Sequence, residues 1–265
     1  MRCQICNHHT RPILSKEQNV SCGDYFTGQR IYADNRGTIT LSECESCGFA
    51  TFDALNAWSE ETFRKEIYNE DYHLCDPPFG EARPRKICNW LSSFMPRCEI
   101  IDYGGGEGQL AAMLNQNGFT ARSYDPFYGD AFVPGQSAEV VTAFEVVEHV
   151  PQQRRLFGEL AALCKQNGVM IFSTLLKPRH LSQDWWYASA RNGHVSFHTQ
   201  ESLAYLMQEL DLGFISLSDE IHLAVHDKDR LTDIKKWPHI LINEWPPYKF
   251  CHEWDRLENM KAEIS

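Results

Sequence analysis

A short apolar stretch that runs straight into glycines constrains this chain more than any other feature. Glu99-Ile100-Ile101-Asp102-Tyr103 reads as a buried strand, and Gly104-Gly105-Gly106-Glu107-Gly108 follows it at once. An amphipathic run then extends from Gln109 to Asn117, with Leu110, Met113 and Leu114 on one side and Gly118 placed to end it. A strand, a glycine turn and a helix, in that order, make a seat for a nucleotide-type cofactor. Glycines let a ligand approach the backbone, and the start of the helix offers N–H groups with no intrahelical partner. The spacing is not the dinucleotide one. Counting G-x-G-x-x-G from Gly104 puts Gln109 at the last position, whereas Gly104, Gly106 and Gly108 alternate behind Asp102. An acid at the strand end suits a cationic group beside the turn, such as an amino-acid ammonium, better than a pyrophosphate.

The same alternation continues. Strands are predicted at 120–125, 139–144, 169–173, 214–217 and 221–225, and helices at 152–164 and 199–210. Strand and helix in turn imply an α/β fold, a doubly wound, mostly parallel sheet with helices on both faces. Asp125 ends the second strand, where an acid can accept hydrogen bonds from two ribose hydroxyls. Ahead of the sheet, residues 54–72 have helical periodicity through Trp58, Phe63, Ile67 and Tyr68. A second helical stretch carries Ile87, Trp90, Leu91 and Phe94 and ends near Pro96.

At this point the chain resembles the class I S-adenosylmethionine-dependent methyltransferases, close to the small-molecule group with Glu-His after the fourth strand. The residues that carry the resemblance are Asp102 to Gly108, Asp125, Phe144-Glu145-Val146-Val147-Glu148-His149-Val150 and Asn167 to Thr174. It covers residues 98 to 216. It implies a Rossmann-like seven-stranded sheet with an antiparallel last hairpin, and S-adenosyl-L-methionine as cofactor. Asp102, Gly104, Gly106 and Gly108 would surround its methionine part, Asp125 its ribose, and the backbone at Phe144 and Glu145 its methyl group. The span between Asp125 and Glu139 is too short for a full helix and a regular third strand, so a shortened or missing edge strand is expected. Phe127 is a candidate to stack on the adenine.

Ten cysteines are spread along the chain, and four of them form two knuckle-spaced pairs, Cys3-x2-Cys6 and Cys44-x2-Cys47. Two thiolates from one tight turn and two from another complete the tetrahedron that structural zinc prefers. A segment of about 50 residues buries little surface, so a metal staple has a physical purpose there. His8, His9 and Cys22 are lesser candidate ligands. Cys75, Cys88, Cys98, Cys164 and Cys251 read as incidental thiols, with Cys88 and Cys164 in helices. Residues 1–53 are thus expected to form a zinc ribbon with strands at 29–33 and 37–41, residues 54–97 a helical connector or lid, and residues 98–265 the methyltransferase domain. A zinc knuckle in this position resembles the sugar C-methyltransferases, whose chains also carry a large further domain.

For the acceptor side, His149 lies just past the fourth strand, at the edge where open α/β sheets bind ligands, and His suits proton transfer near neutral pH. A loop from Lys177 to Thr199 adds Trp185, Trp186, Tyr187 and His194. Loops of that length inside a compact domain are usually functional. The aromatic residues are candidates to stack on a sugar or cover the site, and His149, His194 and Tyr187 are the catalytic candidates. Arg83, Arg85 and Lys86 form one basic cluster that could meet a phosphate. The net charge of −11 argues against a nucleic-acid substrate. Met1 to Cys6 has no signal-peptide core and no run is long enough to span a membrane, so a cytoplasmic protein is expected. The reading is methyl transfer to a small-molecule or saccharide acceptor. Its rivals are an RNA methyltransferase gripping its substrate through the ribbon, and a non-catalytic zinc-dependent binding protein on the same fold.

Overall fold

The N-terminal segment folds around its paired cysteines. The structure, a computed structural model, describes residues 1–34, 36–75, 82–125 and 135–238. Strand β1 (Thr10–Glu17) pairs antiparallel with β2 (Thr38–Cys44), and β2 with β3 (Ala50–Phe52). Pro12, with no N–H for the ladder, sits where the β1–β2 register shifts. Between these strands, α1 (Cys22–Thr27) starts from a reciprocal cap. The Asp24 N–H donates to the Ser21 hydroxyl and the Ser21 N–H to the Asp24 carboxylate. The strand expected at 29–33 is not formed. The Ile31 N–H donates to Asp24 Oδ1 at 2.9 Å, so a capping carboxylate takes the bond that a strand partner needed.

The single helix expected over 54–72 is broken. The chain makes a 3-10 turn (Leu55–Ala57), then α2 (Glu60–Glu66), and α3 (Tyr72–Cys75). Ser59 restarts the backbone as a cap, its hydroxyl accepting from the Thr62 N–H, and the Tyr68 N–H closes α2 by reaching back to Phe63 O. Helix α4 (Ala82–Phe94) buries Ile87, Cys88, Trp90 and Leu91, as its periodicity predicts.

Beyond α4 the expected alternation is present. Its elements are β4 (Glu99–Tyr103), α5 (Gln109–Gln116), β5 (Thr120–Tyr124), β6 (Ala138–Ala143), α6 (Gln153–Leu163), β7 (Cys164–Ser173), β8 (Ser196–Phe197), α7 (Gln200–Glu209), β9 (Gly213–Ser216), β10 (Ile221–Val225) and α8 (Leu231–Ile234). Cys164, expected in a helix, begins β7 instead. The main sheet has the order β5-β4-β6-β7-β10-β9. It is parallel from β5 to β7, and β10 runs antiparallel to both of its neighbours. Among the described residues it has six strands. An edge strand between β5 and β6 would fall within 126–134, outside the described residues, as do Phe127 and Cys251.

Strand side chains alternate between faces, and this divides the core in two. Ile101, Val141, Met170 and Phe172 pack with Leu156, Phe157, Leu160, Leu203 and Leu206 from α6 and α7. Ile100, Val140, Val169 and Ile171 pack with Leu91, Leu110 and Leu114 from α4 and α5. A third cluster joins β2 and β3 to the long loop, with Leu41, Phe52, Phe63, Trp185, Trp186 and Phe197 buried together.

The cysteine module is not a separate bead. The two-residue β8, inside the loop from Lys177 to Thr199, pairs with β3 and completes a four-stranded sheet β1-β2-β3-β8. Cys3, Ile5, Cys6 and Phe49 share a cluster with Phe157 and Leu206. The Arg154 guanidinium on α6 donates to Gln4 O at 2.7 Å and to Ile5 O at 2.5 Å, and pairs with Glu209 on α7. Lys177, nearly inaccessible, pairs with Glu43 of β2 at 2.6 Å. No described helix is long and apolar enough to cross a membrane.

This packing predicts that the module and the main sheet unfold together. Ile5 is fully buried, so Ile5→Ala should destabilise the whole chain by about 2–5 kcal/mol. Urea titration followed by both far-UV circular dichroism and tryptophan fluorescence should show one shifted transition. Loss of the module alone, with the main transition unmoved, would contradict the shared core.

Candidate active site

The glycine turn is shaped by contacts that exclude side chains. Gly104, Gly106 and Gly108 all have positive φ, at 70°, 56° and 77°. A Cβ on Gly104 would lie 2.4 Å from Val146 Cγ2, and one on Gly105 would lie 2.3 Å from Asp102 Oδ2 and 2.5 Å from Ser123 Oγ. The turn is therefore pressed between the end of β4, the end of β5 and the segment after β6. Two acids converge on it. Asp102 is buried, and its Oδ1 accepts the Thr142 hydroxyl at 2.6 Å. Asp125, also buried, accepts the Gly106 N–H at 2.9 Å through Oδ2. Burial, with the charge of Asp125 added, pushes the Asp102 carboxyl up to about 7, against the opposing hydrogen bond from Thr142. A cation seated beside the turn would favour its ionised form.

The segment after β6 crosses directly over this turn. Glu145 has φ 56°, a left-handed conformation that costs a non-glycine residue energy. It is held there because its N–H donates to Ser173 Oγ at 2.7 Å, while that hydroxyl donates to Glu145 Oε1 at 3.1 Å. Arg83 of α4 pairs with the same carboxylate at 3.5 Å. Of the basic cluster, Arg83 is thus joined to the predicted cofactor-side residue. Phe144, half-buried, packs toward the α4 and α5 side of the core.

A 3-10 turn (Val147–His149) then points inward. Glu148 is wholly buried, and neither of its carboxylate oxygens meets hydrogen-bond geometry with any described residue. Its carboxyl is raised well above the ordinary range by burial, reinforced by the charge of Glu145. His149 Nε2 lies 3.8 Å from Glu148 Oε1, and its Nδ1 is 3.1 Å from the Tyr68 hydroxyl. The rings of His149 and His194 meet edge to face with centroids 4.9 Å apart. Burial holds both imidazoles below the usual histidine range, His194 at about 4. His194 Nδ1 lies 2.7 Å from the Tyr187 carbonyl, which can only accept, so that nitrogen carries the proton.

The structure thus brings together His149 and His194, residues far apart in sequence. It does not leave Trp185, Trp186 or Tyr187 open to stack on a sugar. All three are 5% exposed or less and pack against the cysteine module. The Tyr187 hydroxyl accepts the Leu175 N–H at 3.2 Å, and burial, together with the charges of Glu148 and Glu145, keeps it protonated. Glu148 and Tyr68 are the residues that sequence reasoning underweighted. The signal was present in Glu-x-x-Glu-His, since the second acid sits one position before the histidine.

The four paired cysteines also converge. Cys3 Sγ and Cys47 Sγ are 3.7 Å apart, Cys6 Sγ and Cys44 Sγ 3.3 Å apart, and all four sulfurs lie within 4.8 Å of one another. Asn7 and Gly48, one residue past each pair, both take positive φ, which turns the chain so that both thiols face inward. Backbone N–H groups of Ile5, Ser46 and Cys47 point at Cys3 and Cys44 sulfurs. Cys22 lies elsewhere, its thiol donating to Trp186 O, and neither His8 nor His9 joins the cluster.

A family model described as a methyltransferase domain matches residues 79–217. In fold the chain is similar to 1,6-didemethyltoxoflavin-N1-methyltransferase from Burkholderia thailandensis, with 14% identity, 73% of this chain and 95% of that one covered, and TM-score 0.48. It is similar to magnesium protoporphyrin IX methyltransferase from Synechocystis PCC 6803, with 17% identity, coverage of 66% and 94%, and TM-score 0.40. It is also similar to an O-methyltransferase family protein from Burkholderia thailandensis, with 17% identity, coverage of 53% and 55%, and TM-score 0.42. The chain spans about half the length of this last protein. No curated protein matches the sequence.

The raised Asp102 carboxyl gives a pH prediction for the ligand-free protein. Its folded value of about 7 exceeds its ordinary 3.8, so the folded state holds the proton more tightly. The resulting stability is complete below the ordinary value and is lost as pH rises through about 7. Thermal melts between pH 4 and 7.5 should show Asp102→Asn gaining on the wild type as pH rises. Parallel pH profiles would contradict the burial of a titrating carboxyl.

Proposed function

The chain belongs to the methyltransferase-domain family, and on that premise we propose that it transfers a methyl group from S-adenosyl-L-methionine to a small-molecule or saccharide acceptor. The observation that carries this reading is the convergence of buried Asp102 and Asp125 on a turn with no room for a Cβ at Gly104 or Gly105. The residues fit the cofactor. Asp102 and the side-chain-free backbone at Gly104, Gly106 and Gly108 suit its amino-acid part, Asp125 its ribose hydroxyls, and the backbone at Phe144 and Glu145 the side where methyl leaves.

When bound, the cofactor supplies an electrophilic methyl on a sulfonium. The reaction is an in-line displacement, so the protein's task is to align the reactants and exclude water. The fixed backbone at Glu145 shapes the cofactor end. His149 and His194 form the acceptor end, and Tyr187 positions His194 through its carbonyl. The long loop walls this end off with buried aromatic residues.

The four cysteines fit a structural zinc. A tetrahedron with Zn–S bonds of about 2.3 Å has sulfur–sulfur edges of about 3.8 Å, and the two observed pairs lie at 3.7 and 3.3 Å. All four positions are protein ligands, so this ion holds the fold and leaves no site open for chemistry. Such a set of thiolates needs a reducing compartment, which favours the cytoplasm.

An acceptor other than RNA is favoured by the charges on the module. Arg11 faces Glu43, Arg30 faces Glu17 and Asp24, and Arg36 faces Asp34 and Glu66. Arginines already committed to carboxylates make a poor grip for phosphates.

Calorimetry tests the cofactor. Wild type should bind S-adenosylmethionine, and Asp102→Ala should lose that binding while keeping its circular dichroism spectrum; unchanged affinity would remove the assignment. Metal analysis tests the staple. Cys44→Ser should carry about one zinc fewer per chain than the wild type and melt at a lower temperature, and equal zinc contents would show that the thiols bind none.

A further inference from the structure

We propose that Glu148, His149 and His194 form a second metal site, distinct from the four cysteines, that binds one divalent transition-metal ion on the acceptor side of the glycine turn. Each supplies one donor atom, a carboxylate oxygen and two imidazole nitrogens, and the three donors lie within 4.8 Å of one another. The elements that carry them are separate. Glu148 and His149 come from the turn after β6, and His194 comes from the long loop, whose Val195 N–H donates to Glu148 O at 2.8 Å and fixes their spacing.

The buried carboxylate is the group that a cation would stabilise most. Glu148 is 0% exposed, and neither oxygen meets hydrogen-bond geometry with a described residue, although the Tyr187 hydroxyl lies near enough to favour its ionised form. Its 3.8 Å separation from His149 Nε2 is too long for a hydrogen bond. A buried carboxylate stays ionised when it is paired or coordinates a metal, and otherwise takes up a proton. A cation between Glu148, His149 and His194 would satisfy it.

The histidines are already oriented for this. The Tyr187 carbonyl fixes the proton of His194 on Nδ1, which leaves its Nε2 lone pair for a metal. A ligating histidine whose other nitrogen is bonded to a carbonyl is the usual arrangement in metal sites. On His149 the Tyr68 hydroxyl occupies Nδ1, and Nε2 faces the carboxylate. Gly193 is the enabling neighbour. With φ 84°, a Cβ there would lie 2.7 Å from the Tyr68 hydroxyl and 3.1 Å from His149 Nδ1.

Two imidazoles and one carboxylate favour a first-row divalent ion such as Mn2+, Fe2+ or Zn2+ over Ca2+. Three protein ligands leave coordination positions open, unlike the cysteine site. Val146 packs against Gly104, which sets the trio beside the turn. In the methyl-transfer reading proposed above, an open position would take an oxygen of the acceptor and polarise it. The site itself stands on its own three residues, and only this role rests on that reading.

Mn2+ is the suitable probe, because thiolates select softer ions and the cysteine site can be left zinc-filled. Full-length, zinc-replete protein is titrated with Mn2+, and the free-ion electron paramagnetic resonance signal is followed. The expected result is saturation at about one Mn2+ per chain. Glu148→Gln and His194→Ala should each weaken binding by more than the roughly 10–100-fold that loss of an outer-shell partner costs. Absence of saturable binding by the wild type overturns the site, as does equal binding by wild type and both variants. The wild-type titration decides the matter even if a variant does not fold. Calorimetry with S-adenosylmethionine on the same samples separates the two proposals. Cofactor binding without Mn2+ binding overturns the metal site alone, and Mn2+ binding without cofactor binding overturns the methyl-transfer reading alone.

Discussion

One residue, Val195, holds the two halves of this molecule in register. The Val195 N–H donates to Glu148 O at 2.8 Å, and its carbonyl accepts from the Phe52 N–H at 3.3 Å and the Thr51 hydroxyl at 2.8 Å. On one side lies the turn after β6, and on the other β3 of the cysteine module. This neighbourhood joins the cysteine module to the inward-facing histidines, alongside the Arg154 contacts to Gln4 and Ile5. Backbone hydrogen bonds are directional and costly to leave unmade when buried, so the position of Glu148 relative to His194 is set by the same bonds that join the sheets.

The rest of the long loop is built the same way. It has almost no regular structure, so its backbone groups must find partners elsewhere. Arg191, fully buried, donates to Ile67 O at 2.7 Å and Asn69 Oδ1 at 3.0 Å, and its guanidinium lies over the Tyr32 ring. Asn192 accepts the Cys22 N–H at 2.7 Å and donates to Cys75 O at 3.2 Å. The partners come from the N-terminal 75 residues. A loop that looks like an insertion into the main sheet is packed as part of the cysteine module.

That arrangement explains which parts were legible in the sequence. The strands β4 and β10 and the helices α5, α6 and α7 follow from local periodicity, because each packs one face on a sheet whose alternation is written in Ile100-Ile101 and Val140-Val141. The glycine turn and its two acids are equally local. The strand expected at 29–33 failed because the Asp24 carboxylate, seven residues earlier, captured the Ile31 N–H. The aromatic residues 185–187 read as open functional groups because nothing nearby in the sequence tells that Phe52 and Phe63 will bury them. Glu148 went underweighted for the same reason. Its isolation appears only once His194 and Tyr187 are brought around it from the far end of β7.

The pairing of β8 with β3 has a consequence for how proteins of this build can change. In a doubly wound sheet, loops at the carboxyl edge are ordinarily the exchangeable parts, replaced to suit a new ligand while the scaffold persists. Here that loop contributes a strand to the cysteine-bearing sheet and shares its core, so it cannot be transplanted alone. A chimera that takes the loop must take the first 75 residues with it. The two segments, separated by most of the main sheet in sequence, form one packing unit.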